Sequence, residues 1–166
     1  MQKPYDTLMK KSTIKKLEKR KDSLPVYFVD SSVFLEVLFA QKCYEDCTNF
    51  FNRTGYRYQL MTSIEAMGEA VKALNERGYD TLKEKGMLLL AGILDKTGIK
   101  IASPTFEAIS NVSIVRDADS YIMPSDCLIF SIALTEGCFA FVTLDRHFTA
   151  LLCNKFKIAL KKPSEA

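Results

Sequence analysis

Two short apolar runs constrain what this chain can fold into. Val26 to Val29 (VYFV) and Phe139 to Thr143 (FAFVT) are brief and carry no charge. Runs of this kind form strands covered on both faces, as in parallel sheets. Each leads into a stretch with helical signals, and the same alternation recurs along the chain. The sequence predicts helices over 33–40 and 44–52 and a strand over 56–61. A long helix then opens at Thr62-Ser63 and stops at Gly78. A helix over 81–96, stopped by Gly98, precedes a strand over 99–102. Pro104 and Pro124 then start helices reaching 116 and 137. A short helix over 146–152 and a fifth strand over 156–160 close the pattern. Alternating strands and helices require right-handed crossovers. The expected fold is therefore α/β, with three layers (α/β/α) around a parallel sheet of five strands.

The first 24 residues differ from the rest. They hold eight Lys/Arg against three acids, whereas the remainder holds fifteen basic and seventeen acidic residues. The net charge of +3 thus comes entirely from an N-terminal extension. It is expected to be a basic helical arm over 1–24, with its helix over 5–21, ahead of a body over 25–162. Apolar residues make up 48% of the chain, enough for a packed core. The longest apolar run, Met87 to Leu94, is too short to span a bilayer, so no membrane partner is expected. The polar start shows no signal peptide. The five cysteines are odd in number and form no CxxC pair, which argues against a disulfide framework and a structural zinc site. A cytoplasmic location is expected.

Open parallel sheets bind ligands beyond the carboxyl ends of their strands. Asp30 directly follows VYFV, and Asp145 follows FAFVT after one residue. If both strands are central, these acids meet in space. Asp126 opens a helix and Glu69 lies inside one, and crossover geometry can bring both to the same edge. Converging carboxylates repel one another and raise one another's pKa values. A hard divalent cation such as Mg²⁺ relieves that repulsion and, with a phosphate substrate, supports phosphodiester hydrolysis. Simpler roles exist for each acid. Asp30 and Asp145 can cap the helices that follow, and Asp126 suits the positive end of its helix dipole. On a helical wheel Ile64, Met67, Val71 and Leu74 share one face. Glu69 falls opposite, with Glu65, Lys72 and Glu76, as a solvated glutamate would.

Four segments, in order, resemble the PIN-domain nucleases, and the small VapC-like toxin ribonucleases in particular. VYFVDSSVFL is similar to the family's opening strand with its Asp-x-Ser/Asn signature. MTSIEAMGEAVKAL is similar to its Thr-Ser segment with a Glu six residues after the Ser, which selects Glu69. SDCLIFSIALTEG resembles its Asp-Ala-hydrophobic helix, with Cys127 where Ala is usual. FAFVTLDRHF resembles its Val-Thr-x-Asp-x-x-Phe ending. The resemblance spans residues 26–160. It implies a PIN-like five-stranded fold, a Mg²⁺- or Mn²⁺-dependent site and cleavage of single-stranded RNA. Asp30, Glu69, Asp126 and Asp145 would form the catalytic, metal-binding cluster, with Ser32 orienting the first acid and Thr143 supporting the fourth. It further implies an antitoxin-like protein partner and a homodimer. The basic arm departs from the compact toxins, which usually start at the first strand.

Two other functions compete. A non-catalytic PIN-like module would bind RNA or a protein, with the arm as its working part. A phosphoryl-transfer enzyme would use the Asp after the first strand as phosphate acceptor, but the dehalogenase version needs a second Asp where Ser32 stands. His147, the single histidine, has no triad or ligand partner nearby in sequence and reads as a surface residue. Tyr44, Tyr56 and Tyr58 are candidates for stacking bases, although such aromatics more often serve packing.

Overall fold

A computed structural model describes residues 24–77 and 80–166. Residues 1–23, and with them the expected arm helix, lie outside the described residues, as does the Gly78 helix stop. The elements run β1 (Val26–Val29), α1 (Ser31–Leu38), α2 (Tyr44–Asn52), β2 (Gln59–Ser63), α3 (Ile64–Arg77), α4 (Asp80–Thr97), β3 (Lys100–Ala102), α5 (Phe106–Ala118), α6 (Pro124–Thr135), β4 (Ala140–Val142), α7 (Ala150–Lys155) and β5 (Ala159–Lys161). A 3₁₀ turn over Pro163–Glu165 follows.

The five strands pair in parallel in the order β3-β2-β1-β4-β5. Because strand residues alternate between faces, the central strands feed two cores. Tyr27, Val29, Leu60, Ala140 and Val142 face the α1–α4 side. Val26, Phe28, Met61 and Phe141 face α5, α6 and α7. All four residues of β1 are buried, the signature of a strand covered on both sides. Aromatic rings fasten each layer to the sheet. Phe50 of α2 stacks on Tyr58 at 5.1 Å between centroids, Tyr58 stacks in turn on Tyr27 at 4.6 Å, and Phe130 of α6 meets Phe141 edge-on at 5.3 Å. The molecule is thus the expected α/β/α sandwich on a five-stranded parallel sheet. Among the described residues no helix is long and apolar enough to cross a membrane.

Several boundaries differ from expectation for identifiable reasons. The second strand occupies 59–63, not 56–61. Gly55, at φ +83°, and a Gly55 N–H bond to Tyr58 O of 2.8 Å fold residues 54–58 into a turn. Pairing with β1 starts only at Gln59. Thr62 and Ser63 therefore finish a strand before they can start a helix. The Thr62 hydroxyl donates to Val29 O at 2.8 Å, and Ser63 Oγ accepts from Ala66 N at 3.1 Å as the helix begins. The last helix starts at Ala150, because Thr149 caps it by accepting from Leu152 N at 3.1 Å. Lys157, at φ +58°, then turns the chain so that β5 begins at Ala159.

Candidate active site

The chain moves outward from β1 through β2 to β3, then returns to the other side of β1 as β4. The β1–β4 seam is therefore where the strand order reverses, and ligands of open α/β sheets sit beyond the carboxyl ends at such a seam. Val29 is in register with Val142, so the residues just past them, Asp30 and Thr143, are neighbours.

Asp30 is 3% exposed, and its Oδ2 is the centre of a hydrogen-bond network. It caps α1, with Oδ2 accepting from Ser32 N at 3.4 Å. The same oxygen accepts from Ser32 Oγ and Thr143 Oγ1, each at 2.7 Å. Capping and clustering are thus simultaneous roles of one side chain. Burial pushes its carboxyl above the ordinary range, and the Ser32 and Thr143 hydrogen bonds pull the other way. Ser32 Oγ in turn accepts from Leu144 N at 3.0 Å, tying α1 to the segment after β4.

Glu69 reaches the site from α3. Its Oε2 accepts from Ser31 Oγ at 2.6 Å. The buried face of α3 consists of Ala66, Met67, Ala70 and Leu74, while Ile64 is 55% exposed. The helix is rotated from the face the wheel selected, and Glu69 lies half-buried at the margin of that face instead of opposite it. Burial raises its carboxyl first. The Ser31 bond lowers it, and the charges of Asp30, Asp145 and Glu65 raise it further.

Asp126 stands in the first turn of α6 behind Pro124. Burial, then the charges of Asp145, Asp30 and Glu69, push its carboxyl up to about 6, while His147 acts in the opposite direction. Asp145 hangs from the β4 end by its own N–H, which donates to Thr143 Oγ1 at 2.9 Å. Its Oδ1 accepts from His147 N at 2.9 Å and lies 3.0 Å from His147 Nδ1. Asp145 therefore caps a tight turn, and the expected cap on α7 belongs to Thr149.

The four acids named from the sequence thus lie in mutual electrostatic reach. Asp30, Glu69 and Asp126 are all raised, and among the described residues no lysine or arginine figures among the causes of those shifts. Hard oxygen donors with uncompensated negative charge fit a divalent cation. Among the described residues, one donor atom each from Asp126, Asp145 and His147 lie within 4.8 Å of one another.

Ser31 and His147 were not legible as site residues. Nothing in the Asp30-Ser31-Ser32 spacing says that the two serines serve different carboxylates, and His147 meets Asp145 only because the chain turns there. Tyr58 is no base platform. It is 1% exposed, and its hydroxyl donates to Phe50 O at 2.7 Å. Cys43 and Cys47 are free, and Cys47 packs in the core. Asp119 closes a turn by accepting from Tyr121 N at 3.1 Å.

Comparison with curated proteins returns no match. Among solved structures that share the fold, two stand as examples. One is VapBC2 from Rickettsia felis bound to a DNA fragment from their promoter. It superposes with a TM-score of 0.63 at 13% identity, over 82% of this chain and 98% of that one. The other is VapC20 of Mycobacterium tuberculosis, a sarcin–ricin loop cleaving toxin. Its TM-score is 0.57 at 18% identity, over 72% of this chain and 90% of that one. The model of the PIN domain matches residues 27–151, from β1 into α7 and across all four acids, and the chain belongs to the PIN domain family.

Proposed function

We propose that this chain is a metal-dependent endoribonuclease that hydrolyses phosphodiester bonds of single-stranded RNA at Asp30, Glu69, Asp126 and Asp145. The observation carrying this is the gathering of carboxylates at the β1–β4 seam, where Thr143 bonds both Asp30 and the Asp145 N–H, Asp126 brings a donor atom within 4.8 Å of Asp145, and the charges of Asp30 and Asp145 act on Glu69. Gathering acids at one edge costs stability through repulsion and desolvation, and a bound cation offsets that cost. A bound Mg²⁺ or Mn²⁺ would supply Lewis acidity and charge neutralisation for attack on a phosphodiester.

The chain's own residues divide the remaining work. Asp30 is locked by two hydroxyls on Oδ2, so its carboxylate has a fixed direction. Glu69 is held by Ser31 and faces Asp30 from α3. Asp126 and Asp145, like Glu69, are partly exposed where Asp30 is buried, and they border the solvent from which an RNA strand would arrive. Ser32 and Thr143 act through the acids and are positioning residues. Family membership supports nuclease chemistry. The sarcin–ricin loop cleaving activity of the M. tuberculosis neighbour supports RNA as substrate. The VapBC2 neighbour supports a toxin paired with an antitoxin-like protein, and a homodimer is proposed with it. Five free thiols, four of them buried, suit the reducing cytoplasm.

The deciding experiment is cleavage of single-stranded RNA with Mn²⁺ by the full chain and by Asp30→Asn. Cleavage by the parent that stops in EDTA and is lost in the variant, with unchanged circular dichroism, is expected. Undiminished cleavage by the variant would sink the site.

A further inference from the structure

His147 stands two residues past Asp145 and meets it twice. Its main-chain N–H donates to Asp145 Oδ1 at 2.9 Å, and its ring Nδ1 lies 3.0 Å from the same oxygen. The side chain is 61% exposed, so turning the ring toward a ligand costs little desolvation. Asp126 approaches from the first turn of α6, a separate element. One donor atom from each of the three lies within 4.8 Å of the others. Neighbouring ligands of an octahedral ion held at about 2.1 Å are about 3.0 Å apart, and opposite ligands about 4.2 Å apart. The 4.8 Å bound on the trio lies just above that span, so a small rotation of the exposed His147 side chain brings the three donors into one coordination sphere.

Building on the proposed metal-dependent nuclease, we infer that His147 is a nitrogen ligand of its cation, beside Asp126 and Asp145, and turns the site's preference from Mg²⁺ toward transition-metal ions. Mg²⁺ takes oxygen ligands and gains little from an imidazole. First-row transition ions bind imidazole readily, so a single nitrogen donor separates the two classes. An all-carboxylate cluster would lack this discrimination.

The test measures Mn²⁺ and Mg²⁺ binding by calorimetry in the full chain, His147→Ala and His147→Asn. It also records the electron spin echo modulation of bound Mn²⁺. The parent is expected to show a directly bound ¹⁴N coupling that both variants lose. Mn²⁺ affinity should fall on the order of tenfold in the variants while Mg²⁺ affinity stays within about twofold. Mn²⁺ binding and RNA cleavage without the ¹⁴N coupling overturn the His147 assignment alone, leaving His147 as a hydrogen-bond partner of Asp145. Failure of the parent to bind Mn²⁺ overturns both this assignment and the metal-dependent nuclease.

Discussion

Thr143 Oγ1 donates to Asp30 Oδ2 at 2.7 Å, joining residues 113 positions apart in the chain. The same oxygen accepts from Asp145 N at 2.9 Å. One hydroxyl therefore fixes the acid that ends β1 and the loop that carries the acid beyond β4. The parallel β1–β4 register creates this arrangement by placing Val29 opposite Val142.

Thr143→Val keeps the shape of the side chain and removes both bonds. It leaves the Asp145 N–H without its acceptor and Asp30 short of one donor. Urea unfolding should show a loss of about 1–3 kcal/mol, the cost of a buried group left unpaired. Initial rates of RNA cleavage should fall on the order of tenfold or more, as positioning losses at reacting groups do. Thr143→Ser should restore both. Parental rates in the valine variant would show that the hydroxyl positions nothing needed.

Ser31→Ala isolates Glu69. Burial and neighbouring acids hold this carboxyl high, and the Ser31 hydroxyl opposes them. Without that donor the carboxyl rises further, so less of it is ionised at a given acidic pH. The acid limb of the pH–rate profile, followed over roughly pH 5 to 8, should move to higher pH while the alkaline side stays in place. An unmoved limb would remove Glu69 ionisation from the reaction.

The sequence made Asp30 and Asp145 legible because buried parallel strands announce themselves by continuous apolar runs, and the residues just past them lie at the sheet's carboxyl edge. Glu69 was hidden by alanine. Ala66 and Ala70 form the buried face of α3 with Met67 and Leu74, yet alanine carries little weight in a hydrophobic pattern, and Ile64 drew the apparent face toward itself. Glu69 was therefore named by resemblance, not by periodicity. The misplacement of β2 had a similar origin. Tyr56 and Tyr58 look like strand residues, but one is exposed in a turn and the other is a core ring. Ser31 depends on a tertiary contact with Glu69 that no local spacing encodes, whereas His147 meets Asp145 through a local turn that the sequence pattern did not single out.

Tyr58→Phe separates packing from base stacking. The ring lies between Tyr27 and Phe50, at 4.6 Å and 5.1 Å between centroids. Its hydroxyl bonds Phe50 O at 2.7 Å. Removing the hydroxyl should cost about 1 kcal/mol in unfolding, and Tyr58→Ala about 3–5 kcal/mol. The KM for RNA should be unchanged in the phenylalanine variant. A raised KM with unaltered stability would return Tyr58 to the substrate surface.

Asp126 offers the sharpest test of the cluster's electrostatics. Its folded carboxyl titrates at about 6 against an ordinary 3.8, so the native state binds this proton more tightly than the unfolded chain does. The stability tied to that proton is complete below about pH 4 and drains away as pH rises through about 6. In EDTA, Asp126→Asn should therefore melt higher than the parent at about pH 7.5. The difference should shrink as the pH falls toward 4, where the parent is itself neutral at this position. Mn²⁺ should reverse the order, because the ionised carboxylate then faces a cation and the amide is the poorer ligand. Melting temperatures of the two proteins across this pH range, with EDTA and with Mn²⁺, check all three signs. An asparagine variant that melts below the parent in EDTA at pH 7.5 would mean that Asp126 is stabilised by a local partner and is not strained by burial and the other three acids.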